Sequence, residues 1–313
     1  MNGFPRFAIV VPVFNADKYI AECLNSLLAQ KYKYWTAYCV DDGSTDMSAA
    51  ILDRYSKKDS RIVVFHKKNG GVASARNYAL DRLGDEEWIS FVDADDYISS
   101  DMYNSIVSAL NRNSEMSIDY IRVFPQKTRK RYSGNNALNT TDIVNNVERV
   151  VSPYDYFQNE KVGGFVASLL VRSILVKNNR IRFVETMRVL EDQVFSIECA
   201  LKANSIMVYN NVHYFYYNNP NSATRKTIDI SNDIIQCINY VERAIRESDL
   251  SGISDYFKEQ FMPEKMSVLL NERMRHFIYK NEYGLFDSFD IKDYKLPYIE
   301  KFKYSFLNFL KRI

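Results

Sequence analysis

Residues Phe7 to Phe14 read Phe-Ala-Ile-Val-Val-Pro-Val-Phe, without one polar side chain. A strand with one wet face alternates polar and apolar residues. An unbroken apolar run points instead to a strand covered on both sides, as in a parallel sheet layered between helices. The run is too short to cross a bilayer, which takes ~18 apolar residues, and Asp17 follows it closely. No apolar run in the chain reaches that length and no cleavage-type signal follows this one. The expectation is a cytoplasmic protein or one peripheral on the inner membrane face.

The pattern then repeats. Ile20, Cys23, Leu24, Leu27 and Leu28 form one helical stripe. Trp35 to Val40 reads as a second strand, with a helix running through Tyr55. Arg61 to Phe65 reads as a third strand, before a helix carrying Val72, Ala75, Ala79 and Leu80, and Trp88 to Val92 as a fourth. Strands alternating with helices imply a parallel sheet with right-handed crossovers. Such sheets bind ligands beyond the carboxyl ends of their strands, and each strand here runs into polar residues: Asn15, Asp41 with Asp42, Asn69, and Asp93 with Asp95. One acidic turn after a strand is commonplace; four polar strand ends converging on one edge indicate a crevice. Asp93, Asp95 and Asp96 are close enough to repel one another unless a cation sits among them. Hard divalent ions such as Mg²⁺ or Mn²⁺ take oxygen ligands of this kind.

Ser99 to Asn111 is expected as a helix and Ile118 to Phe124 as a strand. The polar stretch Pro125 to Asn146, with Lys127, Arg129, Lys130 and Arg131, reads as a solvated hairpin or loop. Gly163-Gly164 precedes an apolar stretch from Phe165 to Val171. Val184 to Leu201 contains Glu191-Asp192, followed by helical apolar spacing at Val194, Phe195, Ile197 and Leu201; Ile206 to Tyr217 is strand-like, and the pattern is helical from Ile228 to the end. With 41 basic and 39 acidic residues, a formal +2, nothing in the charge calls for nucleic acid. Cys23, Cys39, Cys199 and Cys237 lack CxxC spacing and read as reduced thiols. His66, His213 and His276 form no metal-ligand pattern.

Five stretches, Val11-Pro-Val-Phe-Asn15, Asp41-Asp-Gly-Ser-Thr-Asp46, Asn69-Gly-Gly-Val-Ala-Ser-Ala-Arg-Asn77, Asp93-Ala-Asp-Asp96 and Glu191-Asp192, stand in an order and spacing that resemble the inverting glycosyltransferases of family 2. The resemblance covers residues 6 to 225. It implies the GT-A fold, a Rossmann-like α/β architecture whose mainly parallel sheet is flanked by helices. Residues 1–225 would form the catalytic domain, 1–115 binding the nucleotide sugar and 116–225 facing the acceptor, before a helical region at 226–313. The resemblance also implies a UDP-sugar donor and Mn²⁺ or Mg²⁺. Carried over residue by residue, Pro12 lies near the uridine, Asp42 holds the uracil edge, and Asn69 and Arg76 lie near base and phosphates. Asp93 and Asp95 form the metal motif, with Asp95 the direct ligand, and Asp192 is the general base. Asp41 should point away from the ligand in a structural role, and Asp96 either touches sugar hydroxyls or caps the next helix. The sequence departs from the family after its Tyr-rich strand: Tyr216 to Arg225 has Asn218 and Asn219 where a basic residue is common. Ser222 and Arg225 are assigned to the diphosphate there, and His213 either lines the site or is a strand histidine.

The implied activity is transfer of a hexose or N-acetylhexosamine, with inversion, to a glycan or lipid-linked glycan hydroxyl in bacterial-type surface polysaccharide or lipooligosaccharide synthesis. Two other readings compete. A nucleotidyltransferase would want a Gly-rich, Lys-containing loop after the first strand, where this chain has Pro12-Val-Phe-Asn15. A catalytically silent binding module would have no use for both Asp95 and Asp192. Near the end of the chain, Ile299, Phe302, Phe306, Phe309, Leu310 and Ile313 share a helical face. Residues 292–313 carry six basic and two acidic side chains, a net +4. Residues 298–313 are therefore expected either to touch an anionic membrane peripherally or to pack as core.

Overall fold

The computed structural model describes residues 4–124, 126–128, 147–159, 166–210, 213–217, 230–248, 250, 252–265 and 267–268. Strands β1 (Phe7–Val13), β2 (Trp35–Asp41), β3 (Ile62–His66) and β4 (Trp88–Phe91) lie parallel in the order β3-β2-β1-β4. Between them run helices α1 (Ile20–Leu28), α2 (Ser48–Lys58) and α3 (Val72–Leu80). All seven residues of β1 are buried, and the alternation of a strand sorts them into two layers. Phe7, Ile9, Val11 and Val13 join the apolar cluster of α1 and α4 (Met102–Arg112). Ala8 and Val10 join that of α3, α7 (Glu191–Lys202) and α8 (Ser231–Arg246).

The sheet continues beyond β4 with β9 (Leu169–Arg172), β6 (Ile118–Val123), β10 (Ser205–Asn210) and β8 (Val147–Val151); β9 and β8 run antiparallel to their neighbours. A smaller sheet joins β5 (Tyr97–Ile98), β11 (Tyr214–Tyr217) and β7 (Gln126–Thr128). Helices α5 (Pro153–Asn159), α6 (Ser173–Asn178) and α9 (Ile253–Tyr256) complete the named elements. This is the mainly parallel sheet flanked by helices that the sequence led us to expect. The helical spacing expected after Glu191-Asp192 is α7 itself. One element differs. The stretch from Ile206 to Tyr217 is two strands in two sheets, because Tyr214 leaves the main sheet to pair with Ile98. At the boundary expected near residue 226, α8 packs its Ile234, Cys237, Ile238 and Val241 into the same cluster as α7. Arg129 to Arg131, Gly163, Gly164, Ser222, Arg225, His276 and residues 298–313 lie outside the described residues. Among the described residues no helix is long and apolar enough to cross a membrane.

The strand order places the next strands in sequence, β2 and then β3, on one side of β1, and β4 on the other. The winding reverses between β1 and β4, which opens a crevice at their carboxyl ends. Pro12 sits where that crevice begins. Even-numbered residues of β1 face β4, as the Val92 N–H bond to the Val10 carbonyl shows (3.0 Å). Pairing with β4 ends at Val10 and Phe91, so proline's missing N–H leaves no ladder bond unmade.

Candidate active site

The ends of β1 and β2 are laced together by side chains acting on backbone. Asn15 adopts a left-handed φ of 47°, a conformation asparagine tolerates better than most residues. Its Oδ1 accepts the Thr45 N–H (2.8 Å), and its own N–H donates to Ser44 Oγ (3.0 Å). The next two N–H groups donate to Ser48 Oγ (2.8 Å) and Asp46 Oδ2 (3.0 Å). Gly43, at φ 75°, is required twice over, since a Cβ there would stand 2.9 Å from the Asn69 nitrogen.

Asp42, only 2% exposed, reaches across to the loop after β3. Its carboxylate accepts from the N–H groups of Gly70 (3.0 Å) and Gly71 (2.7 Å) and from Lys67 Nζ (2.6 Å). Expected at the uracil edge, Asp42 does line the cavity, and it also fixes the Asn69-Gly-Gly loop opposite. Asp41 points the other way, as expected, accepting from the Ser44 N–H (3.0 Å) and lying 3.0 Å from His66 Nδ1. His66 Nε2 lies 3.0 Å from Asp53 Oδ1. Both ring nitrogens face carboxylates, so the Asp41 and Asp53 bonds hold the imidazolium and raise its pKa above the usual 6.5. A raised histidine pKa stabilises the fold below about pH 6.5 and loses that contribution as pH rises through the folded-state value. His66→Gln should therefore lower the thermal midpoint most near pH 6 and least above pH 8. The ring is 44% exposed, so solvent screening limits the effect to about 1 kcal/mol or less. Thermal unfolding of both proteins across that range checks it; a gap that widens with pH would refute the assignment.

At the end of β4 the acidic turn is organised from below by Tyr214. The backbone N–H of Asp93 donates to the Tyr214 hydroxyl (3.1 Å), which donates to Asp96 Oδ2 (2.6 Å); the Tyr217 N–H donates to Asp96 Oδ1 (2.8 Å). Asp96 is thus a buried tie between the turn and β11, a role distinct from both expected for it. Burial, with the charges of Asp93 and Asp95 added, pushes it up to about 9. Asp93 and Asp95 are partly exposed and line the cavity.

Behind that turn lies Arg76, 4% exposed. Its guanidinium donates to Asp93 Oδ1 (3.0 Å) and Glu191 Oε1 (2.8 Å). The resemblance put Arg76 near the base and phosphates; its two terminal nitrogens instead donate to two carboxylates, one from the acidic turn and one from α7. Breaking such a buried pair typically costs roughly 3–5 kcal/mol, so Arg76 holds β4 and α7 in register. Burial and the neighbouring Asp192 push Glu191 up to about 7 against the pull of Arg76. Asp192, next in the helix, keeps partial exposure; Gln193 donates its N–H to Asp192 Oδ1 (2.8 Å). Desolvation raises its pKa, Arg76 opposes the rise, and Asp93 is near enough to add to it. The residue before α7, Leu190, has φ 69°, strained for a branched side chain and characteristic of functional sites.

The crevice is a cavity of about 770 Å³. Pro12, Asp42, Asn69, Asp93 and Asp95 line it together, with Glu185, Met187 and Arg188 from the segment before α7. Arg76 and Asp192 are not among its lining residues; Arg76 bonds to Asp93, which is, and Asp192 interacts with Asp93 through charge. The sequence reading missed Phe14, 52% exposed at the rim, although its place after Pro12 was a signal. It also missed Lys67, Glu185 and Arg188. His213 precedes β11 with Nδ1 bonded to Ser99 Oγ (2.7 Å), a packed histidine. The donor set suits a hard cation: two carboxylates face an open cavity, leaving coordination to substrate oxygens and water. Among the described residues no group of three or more His, Cys, Asp or Glu is placed to hold a metal, so the protein would supply only part of an ion's shell.

Comparison with known proteins agrees with this geometry. Residues 8–174 match the model of glycosyl transferase family 2, and the chain belongs to that family. It is 30% identical over 220 residues to the uncharacterized glycosyltransferase EpsJ of Bacillus subtilis, covering 70% of this chain and 63% of that protein. It is 32% identical over 216 residues to the poly(ribitol-phosphate) beta-glucosyltransferase of Bacillus spizizenii, covering 67% of this chain and 32% of that one. This chain thus spans about a third to three fifths of these relatives' length. Among solved structures, Staphylococcus aureus TarS in complex with UDP-GlcNAc superposes with a TM-score of 0.66 at 24% identity, over 88% of this chain and 73% of that one. The fold is GT-A.

Proposed function

We propose that the protein transfers a hexose or N-acetylhexosamine from a UDP-sugar to a hydroxyl of a growing cell-surface glycan, with inversion at the anomeric carbon. The observation that carries this reading is the convergence of Pro12, Asp42, Asn69, Asp93 and Asp95 on one cavity at the switch point of the sheet. The relatives' names supply the polymer class, and the UDP-GlcNAc held by TarS supplies the donor class.

The reading assigns each group a task. Phe14 and Pro12 offer an apolar wall to the base. Asn69 and its loop, held by Asp42, cap the nucleotide. Asp93 and Asp95 would hold Mg²⁺ or Mn²⁺, which when bound neutralises charge on the diphosphate leaving group. Asp192 accepts the acceptor hydroxyl's proton as its oxygen bonds to the anomeric carbon and the bond from that carbon to the phosphate oxygen breaks, releasing UDP. Glu191, buried against Arg76, is poorly placed for this step, and partial exposure favours Asp192.

A thermal-shift screen of nucleotide sugars with Mn²⁺ tests the donor class. A ligand at 100 times its Kd adds about 2.7 kcal/mol to stability, roughly 5 °C or more in Tm for a domain of this size. A UDP-sugar should give that shift and an adenine nucleotide should not. A shift with ATP alone would replace this reading with nucleotidyl transfer.

A further inference from the structure

The cavity rim from Phe183 to Leu190 is irregular yet held from both sides. On the α3 side, Asn77 exchanges bonds with the Phe183 backbone (2.9 and 3.0 Å) and donates to Glu185 Oε1 (2.9 Å). On the α8 side, Asp233 accepts the backbone N–H of Arg188 (2.6 Å) and its guanidinium (3.1 Å), and Thr186 donates to Gln236 (2.7 Å). Asp233 is 2% exposed, whereas the Arg188 side chain is 57% exposed at a position lining the cavity. A buried carboxylate gripping both the backbone and the side chain of one arginine fixes where that arginine can reach. Helix α8 lies outside the residues matched to the family.

The cavity has a charge imbalance that gives Arg188 a purpose. Its lining carries five acidic residues, Asp17, Asp42, Asp93, Asp95 and Glu185, against Lys18 and Arg188, while Lys67 and Arg76 pair with Asp42 and Asp93 from outside the lining. A phosphate entering the cavity still meets the charges of Asp17, Asp95 and Glu185, which repel it. Arg188 is the one guanidinium among the described lining residues, and its planar fork matches phosphate oxygens.

We propose that Arg188 binds a phosphate group of the substrate and that Asp233 is the positioning residue that aims it. The proposal rests on the transferase reading above. Two sources supply such a phosphate: the donor's diphosphate, or a phosphate-bearing acceptor polymer.

Titration calorimetry on the full chain separates them, using UDP with Mn²⁺ in one arm and a ribitol-phosphate oligomer in the other. Arg188→Gln should weaken one ligand about tenfold or more, as expected for losing a charged hydrogen bond. Weakened UDP identifies the diphosphate, and weakened oligomer with UDP intact identifies the acceptor. If neither affinity changes, the proposal is overturned. Asp233→Asn should weaken the same ligand by a smaller factor and add nothing in the Arg188→Gln background; additive losses would show that Asp233 acts independently of Arg188. Asp233→Glu keeps the charge and displaces it, and should also weaken binding. Wild-type affinity there overturns the positioning role even if Asp233→Asn fails to fold. A wild-type protein that binds no UDP would instead remove the transferase reading itself.

Discussion

Asp192→Asn is expected to lower turnover by about 100-fold or more, ~2.7 kcal/mol of transition-state stabilisation, while leaving UDP affinity nearly unchanged. The two acids at the start of α7 have different surroundings. Glu191 is 5% exposed and bonded to Arg76, so its loss should act through the fold. Asp192 is partly exposed and close enough to Asp93 for their charges to interact. Asparagine keeps the shape and the contact to Gln193 but cannot take a proton. Steady-state rates with calorimetry of UDP binding decide the matter. Were affinity to fall in step with turnover, Asp192 would be a binding or structural residue. Proton NMR of the product checks the companion claim, a β-linked product from an α-linked donor.

The parts of this molecule that were legible in its sequence depend on local pattern. The apolar run of β1 required cover on both faces, and the structure puts α1 and α4 on one side and α3, α7 and α8 on the other. The polar residues after each strand converge because parallel strands place all their carboxyl ends on one edge. Elsewhere distant side chains settle what local pattern leaves open. Helical spacing begins after Glu191-Asp192, and nothing local describes the residues before it; there the N–H groups of Phe183 and Arg188 are taken by Asn77 and Asp233, 106 and 45 residues away. The segment between is fixed as a rim, and the helix begins after the left-handed turn at Leu190. Similarly, Asn210-Asn211 interrupts the apolar residues between Ile206 and Tyr217, but which sheet each half joins is set by distant strands, β6 and β8 for one and β5 and β7 for the other.

Arg76 shows the same limit in the site. Its type suits a diphosphate, and its place in the Asn69 to Asn77 stretch resembles the family. Which anion meets it depends on how α7 packs on α3 across 115 residues of chain, information that no local window holds. The buried network it forms, Asp93–Arg76–Glu191, ties the acidic turn to the helix bearing Asp192. The resemblance named these residues; the structure joins them through one buried guanidinium.

Asp95→Asn is expected to reduce activity by several kcal/mol of lost charge stabilisation, on the order of 10²–10³-fold, and chelation of wild-type protein by EDTA should abolish turnover until Mn²⁺ or Mg²⁺ is restored. Five acidic residues line the cavity against two basic ones, and although Lys67 and Arg76 pair with Asp42 and Asp93, the remaining acids make entry of a cation with the nucleoside diphosphate favourable. Asp95 lines the cavity beside Asp93, and the resemblance implies that it is the direct ligand, so the dependence on added cation should be greatest there. Asp41→Asn is the control. Asp41 is a carboxylate at the same edge of the sheet, but it is committed to Ser44 and His66, so its loss should lower Tm more than turnover. Rates measured over a Mn²⁺ series separate two failures. If Asp95→Asn recovers at high Mn²⁺, the residue sets cation affinity. If it stays inactive while still binding UDP and Mn²⁺, Asp95 acts on the reacting sugar instead. Full wild-type activity in excess chelator would eliminate the cation and leave Arg188 and Lys18 as the cavity's counter-charges.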